Sequence, residues 1–408
     1  MNFLSDVVCM RKIRDVDVKG KKIIVRVDLN SPVENGKITG SARINAHAVT
    51  IKELSQRGAR VIVLSHQGRE GHDDFIGLEQ HARLLHHKVG HDVFFIENVV
   101  GAEAEKAIKQ MKDGDILVLD NVRFLPCETT HKDGLGEIVH HLSPIVDYYV
   151  LDALSVAHRK HSSVVGFSHT MPCFAGDVLA AEVEALEQVK KCQDVTFIFG
   201  GSKVEDSFSV MKKWLDENRA RKILLGGALS IIFLSADGKN IGDSKDYIKN
   251  AGLEHFIPQA KALLDTHRDK IMLPVDVGLS IDMKRVNCET SAVSKGQIWD
   301  IGPQTVSLYV EAIDNSKCVV MNGPLGVYEL EDFGKGTQFI LDSIARSDSF
   351  SLLGGGHTIT ALERFGIDKK YFGYVSLSGK ALIEYLCGKP LPGLVVLEEN
   401  EKKFKIKP

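Results

Sequence analysis

The sequence predicts an α/β fold in two domains, each a mainly parallel sheet flanked by helices, with a hinge helix joining them. Three observations carry that reading. Short, apolar, β-branched runs recur along the chain, segments of helical periodicity separate them, and the residues that follow each run change character halfway along. Near-continuous apolar strands alternating with helices belong to parallel sheets covered on both faces.

In the first half the runs are Ile23–Val27, Val61–Leu64, Ile116–Leu119 and Tyr148–Leu151. In the second half they are Val195–Phe199, Ile223–Leu225, Cys318–Met321 and Ser351–Leu353. Between the first two lies Arg43–Arg57, where Ile44, Ala48, Ile51 and Leu54 share one helical face. The character changes near Met171–Gly176, and a long helix follows over Asp177–Lys191, with Leu179, Val183, Leu186 and Val189 at helical spacing. We draw the domains as 1–173 and 174–391.

Composition narrows the function. Of 408 residues, 44% are hydrophobic and 26% charged, and the formal net charge is −3. That is chain enough for two or three cores. A near-neutral balance argues against nucleic acid as the main partner, since phosphate-backbone binding leaves a basic excess. The seven cysteines are widely spaced with no C-x-x-C pair, so neither a disulfide framework nor a zinc site is expected, and a reducing cytoplasm fits. Met1–Cys9 has no positive start and no long apolar stretch, so no signal peptide is expected. Nor do about 18 apolar residues run together anywhere, so no membrane span is expected.

Ligands of open α/β sheets bind beyond the carboxyl ends of the strands. In the first half those ends carry Asp28 and Asn30, Ser65 and His66, Asn121 and Arg123, and Asp152. Arg43, Arg69, His158 and Arg159 sit in or beside the same loops. Arginine's planar fork matches carboxylate and phosphate oxygens, and its charge does not titrate away. A lone arginine after a strand is more often a solvated surface residue. Several at the ends of one sheet suit a small, multiply charged anion. His158 and His161 lack a third partner at ligand spacing, and His140 and His141 read as surface.

In the second half the strand ends carry Gly200-Gly201, Gly226-Gly227, Asn322-Gly323 and Gly354-Gly355-Gly356. Backbone amides approach phosphates only where no Cβ intrudes, and helix amino termini add a favourable dipole. Any one pair is as readily a tight turn or helix cap; the set favours a nucleotide. Neither G-x-G-x-x-G nor a Walker A string is present. Lys203 is the best candidate for a mobile cation on a phosphoryl group in transfer.

The ordered set Arg26-Val-Asp-Leu-Asn30, Ser65-His-Gln-Gly-Arg69, Asp152-Ala-Leu-Ser-Val-Ala-His-Arg159, Gly200-Gly-Ser-Lys203, Asn322-Gly-Pro-Leu-Gly-Val-Tyr-Glu329 and Gly354-Gly-Gly356 resembles phosphoglycerate kinases, their archaeal branch most. The resemblance spans about residues 15 to 400. It implies two Rossmann-like domains and reversible phosphoryl transfer between 1,3-bisphosphoglycerate with ADP and 3-phosphoglycerate with ATP, assisted by Mg2+, with hinge closure. By motif match, Asp28, Asn30, Arg43, His66, Arg69, Arg123 and Arg159 would bind the acid, and Arg43 and Lys203 would stabilise the group in flight. Gly200, Gly201, Lys203, Gly226, Gly227, Asn322, Pro324, Glu329, Gly355, Gly356 and Thr358 would surround the nucleotide. The tail 392–408 would return to the first domain, in a monomeric cytoplasmic enzyme.

Three residues or stretches depart from the family pattern. His357 stands where bacterial and eukaryotic members have an aspartate for magnesium, which leaves the metal's protein ligand unknown. Ser207 stands where they have a second lysine. Ser376-Leu-Ser-Gly-Lys-Ala381 replaces a glycine-rich string, and Lys380 is a candidate to offset lost amide contacts with its charge. A kinase for another acid and a silent nucleotide-binding protein stay open at this point.

Overall fold

The computed structural model describes residues 10–40, 42–131 and 134–405; Met1–Cys9 and the end of the expected tail lie outside them. The chain divides into two compact units, Met1–Glu184 with Pro390–Pro408, and Ala185–Lys389.

The first unit is built on β1 (Lys22–Arg26), a small antiparallel pair β2 (Val33–Glu34) and β3 (Lys37–Ile38), then β4 (Arg60–Leu64), β5 (Val93–Ile96), β6 (Ile116–Leu119), β7 (Tyr148–Leu151) and β8 (Cys173–Ala175). Its main sheet is parallel, in the order β5-β6-β4-β1-β7-β8. A line at 173/174 runs through β8, which completes this sheet. The division by packing falls later, within the helix Asp177–Lys191.

Alternation sets the core. Ile23, Val25, Val61 and Val63 pack with Ile44, Ala48, Ile51 and Leu54 of the helix Ala42–Gln56 in one buried cluster. Leu or Ile to Ala within such a cluster costs about 2–5 kcal/mol. The last helix, Pro392–Lys403, completes the unit from far along the chain. Its buried Asn400 donates to the carbonyls of Ser168 (2.8 Å) and Met171 (2.9 Å) and accepts from the amide of Cys173 (2.8 Å). One side chain thus satisfies three backbone groups at the edge of the sheet.

The second unit holds β9 (Val195–Phe199), β10 (Ala220–Leu225), β11 (Ile271–Met272), β12 (Asp276–Ile281), β13 (Lys284–Glu289), β14 (Gln297–Ile301), β15 (Cys318–Asn322), β16 (Phe350–Gly354) and β17 (Tyr374–Val375). Six of them form a parallel sheet in the order β11-β10-β9-β15-β16-β17. The other three form an antiparallel sheet, β13-β12-β14, that the sequence reading did not anticipate. No helix among the described residues is long and apolar enough to cross a membrane.

Candidate active site

Strand order gathers the basic residues of the first unit. The four strands whose ends carry them, β6, β4, β1 and β7, are consecutive neighbours in the sheet. Their carboxyl ends therefore line up in one row, with Arg123, His66 and Arg69, Asp28 and Asn30, and Arg159 in the loops beyond.

Asp28 is the anchor of this row. It is buried, and Arg43 Nη1, on the helix Ala42–Gln56, lies 2.9 Å from its Oδ2. The Ser155 hydroxyl donates to the same oxygen, and the Asn30 amide donates to Oδ1 at 3.0 Å. Burial pushes this carboxyl up, but Arg43 foremost, with the Ser155 hydroxyl, outweighs it and holds it below the ordinary range. Arg43 also donates to the Asn30 carbonyl (3.1 Å), and Asn30 Oδ1 accepts from the Gly68 amide (2.8 Å). Asn30 thus ties the loop after β1 to the loop after β4.

The arginines oppose one another. Arg123, which donates to the Gly68 carbonyl, is pushed down to about 10 by burial and by Arg159, Arg26 and Arg69. Arg159 is pushed down by burial, and among the charges Arg69 lowers it most while Asp28 raises it. Positive charges held this close raise one another's energy, and a multiply charged anion placed among them relieves it. Sequence reasoning overlooked Arg26 and Ser155. Arg26 ends β1 and is buried behind the row, with Nη2 3.3 Å from His66 Nδ1. Its place in the quoted Arg26–Asn30 string was the available signal.

In the second unit the glycine loops follow β10, β9, β15 and β16, again consecutive neighbours. They are knitted together: the Gly201 amide donates to the Pro324 carbonyl (2.7 Å) and the Gly227 amide to Leu325 (2.9 Å). A Cβ on Gly200 would stand 2.0 Å from the Pro324 carbonyl oxygen. At Gly227, φ is +50° and a Cβ would meet the Gly201 nitrogen at 2.6 Å. The glycines at these positions let loops pack, and the amides of Gly201 and Gly227 both donate into the loop after β15. First-turn donors remain at Gly356 and His357, where the helix Gly356–Phe365 begins behind Gly355. Thr358 is fully buried; its hydroxyl donates to the Gly354 carbonyl (2.7 Å) and accepts from the Gly323 amide (3.0 Å), fixing the loop after β15. Lys203 is exposed immediately before the helix Val204–Asp216.

Beside these loops lies a cleft of about 250 Å³. Gly201, Gly227, Pro324 and Glu329 line it, as do residues the sequence reading passed over: Ile231, Tyr247, Ile298, Trp299 and Tyr328. Gly200, Lys203, Gly226, Asn322, Gly355, Gly356 and Thr358 stand outside its lining. The wall is apolar and partly aromatic, with carboxylates at Glu329 and the buried Asp300. Trp299, one of only two tryptophans in the chain, was a legible signal. Apolar walls with a few polar groups are the usual setting of a heterocycle with a charged tail. Tyr328 Oη and His357 Nδ1 are 3.2 Å apart at one end. Among the described residues, no three His, Cys, Asp or Glu converge to hold a metal ion.

A family model described as phosphoglycerate kinase matches residues 13–389. The chain is 40% identical to the phosphoglycerate kinase of Methanothermobacter thermautotrophicus over 95% of its own length and 96% of the relative's. The chain belongs to the phosphoglycerate kinase family. It is similar to the Thermoplasma acidophilum phosphoglycerate kinase as well, at 36% identity over 95% of this chain and 97% of that one. Among solved structures, the phosphoglycerate kinase of Pyrococcus horikoshii matches with a TM-score of 0.92 and 34% identity, covering 97% of this chain and all of its own. That of Coxiella burnetii matches at 0.79 and 30%, covering 96% and 99%. Phosphoglycerate kinases are enzymes that transfer a phosphoryl group between an acyl phosphate and a nucleotide, and this chain carries their two-unit α/β fold.

Proposed function

We propose that this protein catalyses reversible phosphoryl transfer between 1,3-bisphosphoglycerate with ADP and 3-phosphoglycerate with ATP, with the acid on the first unit and the nucleotide on the second. The observation that carries the reading is the row of Arg43, His66, Arg69, Arg123 and Arg159 around Asp28 and Asn30, a setting for a small anion bearing both phosphate and carboxylate. The cleft edged by Glu329 and Trp299 holds the nucleotide.

Transfer of this kind needs positioning and charge neutralisation more than covalent help. The acceptor is a carboxylate, ionised at neutral pH, so no general base is required. Arg43, already directed at the acid site by Asp28, and the exposed Lys203 neutralise the group in flight. The two meet through hinge closure about the helix Asp177–Lys191. The donors around the cleft do not make a resident magnesium site: Asp300 is buried and paired with Arg285, His357 offers an imidazole rather than an oxygen, and Glu329 is a single exposed carboxylate. Magnesium therefore arrives as part of the substrate, ligated by the phosphate oxygens of MgADP or MgATP. The enzyme works as a cytoplasmic monomer.

The test is consumption of MgATP that depends on 3-phosphoglycerate, coupled to reduction of the acyl phosphate. Turnover that falls by about 10²-fold or more in Arg43→Ala, with ADP affinity kept, is the expected result. Folded protein that binds ADP and turns over nothing would overturn the assignment.

A further inference from the structure

Arg26 ends β1, 1% exposed, and its Nη2 lies 3.3 Å from Nδ1 of His66, which is buried too. A guanidinium has donors and no acceptor, so the contact has only one direction: Nδ1 accepts and carries no proton. An imidazole with a bare Nδ1 is neutral and bears its hydrogen on Nε2.

Arg26 is held in that pose from behind. Its Nη1 donates to the Val27 carbonyl, and its Nε donates to Ser163 Oγ at 2.8 Å. That hydroxyl passes its own hydrogen to Glu128 Oε1 at 2.6 Å, and the Ser163 amide donates to Glu128 Oε2 at 2.8 Å. Glu128 is 1% exposed and supplies the counter-charge. The chain Glu128, Ser163, Arg26, His66 therefore has one consistent set of donors from end to end.

The charges facing His66 agree with this. Burial disfavours the imidazolium; Asp28 Oδ1, 4.0 Å from Nδ1, favours it; Arg26, Arg123 and Arg159 oppose it. The balance lies well below the ordinary histidine range.

We infer that Arg26 is a positioning residue that locks His66 as the neutral Nε2–H tautomer, so that His66 offers the acid substrate one fixed hydrogen-bond donor rather than a positive charge. The inference rests on the proposed acid site and deepens it. The arginines supply charge, and His66 supplies direction. Binding then needs no proton to be placed on a ring surrounded by guanidinium groups.

Ring ¹⁵N shifts of the substrate-free protein read the tautomer directly, with the His66 signals assigned by their absence in His66→Gln. A bare Nδ1 and a protonated Nε2, unchanged from about pH 5.5 to 8, are expected. An Nδ1–H or doubly protonated ring in that window overturns the inference. In Arg26→Met the ring loses the contact that keeps Nδ1 an acceptor, so an Nδ1–H tautomer should appear within the window; a ring still wholly Nε2–H removes Arg26 from the role. Ser163→Ala keeps the guanidinium and loosens only its anchor, so a second tautomer should appear even should the methionine variant fail to fold. A wild-type spectrum in Ser163→Ala refutes the relay.

In turnover, the ratio of variant to wild-type KM for 3-phosphoglycerate cancels the ligand's own ionisation. For Arg26→Met it should be about threefold or more at both pH 6 and pH 8, because a neutral ring free to take the other tautomer offers the acid its donor only part of the time. A ratio of one counts against the inference. Absence of turnover with 3-phosphoglycerate would defeat the functional reading and leave the tautomer itself standing on the ¹⁵N shifts.

Discussion

Arg43→Ala should destabilise the first unit as well as slow the reaction, and a double-mutant cycle with Asp28→Asn separates the two. At 2.9 Å the ion pair has a gross attraction of about 6 kcal/mol at an effective dielectric of about 20. Asp28 is almost wholly enclosed while Arg43 keeps 28% of its side chain in water, so screening and desolvation cut the net value to about 2–3 kcal/mol. Asp28 has its folded value below its unfolded one, so its contribution is complete above about pH 4 and fades as pH falls further. A cycle at pH 7 therefore measures the whole coupling. Both tryptophans, Trp214 and Trp299, belong to the second unit. In urea, far-UV circular dichroism should lose its first-unit transition early in Arg43→Ala, while tryptophan emission reports the other unit as a control. The double variant should lose about 2 kcal/mol less than the two single losses added. Losses that add to within about 0.5 kcal/mol would refute the pairing.

Gly200→Ala forces the Pro324 carbonyl away from a Cβ that would stand 2.0 Å from it, and calorimetric titration should show ADP binding weakened about tenfold or more. Asp300 is pushed up to about 6 by burial, against the hydrogen bonds from Arg285 and the Gly336 amide. Its folded value lies above its unfolded one, so the stability it gives is complete below about pH 4 and is lost as pH rises through about 6. Tryptophan-monitored denaturation at pH 5 and 7.5 should show a fall of about 1–2 kcal/mol that Asp300→Asn removes; the same fall in both proteins would exclude Asp300 as its source. Lys380, exposed where the helix Lys380–Leu386 begins, offers charge near the loop after β17. Lys380→Gly should weaken ADP about threefold, and unchanged affinity would make it a bystander.

All eight apolar runs read from the sequence are strands, because buried parallel strands must be apolar on both faces. The missed strands are short, partly exposed or, like the buried Asp276–Ile281, broken by polar residues and glycine. Val93–Ile96 is only half buried, Ile271–Met272 and Tyr374–Val375 are two residues each, and Lys284–Glu289 is a largely exposed edge strand with no buried residue. The basic row was legible because charged residues after strands are conspicuous. Arg26 was not, since a buried arginine looks like any other until its partners are seen. The wall of the cleft was hidden for a different reason. Ile298 and Trp299 come from the antiparallel sheet, whose place beside the glycine loops is a tertiary fact with no local sequence signal.

The helix Pro392–Lys403 gives the first unit an order of assembly. Everything in residues 185–389 leaves the ribosome before the segment that carries Asn400. Until then the Cys173 amide and the Ser168 and Met171 carbonyls wait without the side chain that satisfies them. The second unit is contiguous and can finish during synthesis; the first, though translated earlier, closes last. A chain stalled or clipped before residue 392 would carry a complete second unit beside a first unit left open at one edge of its sheet.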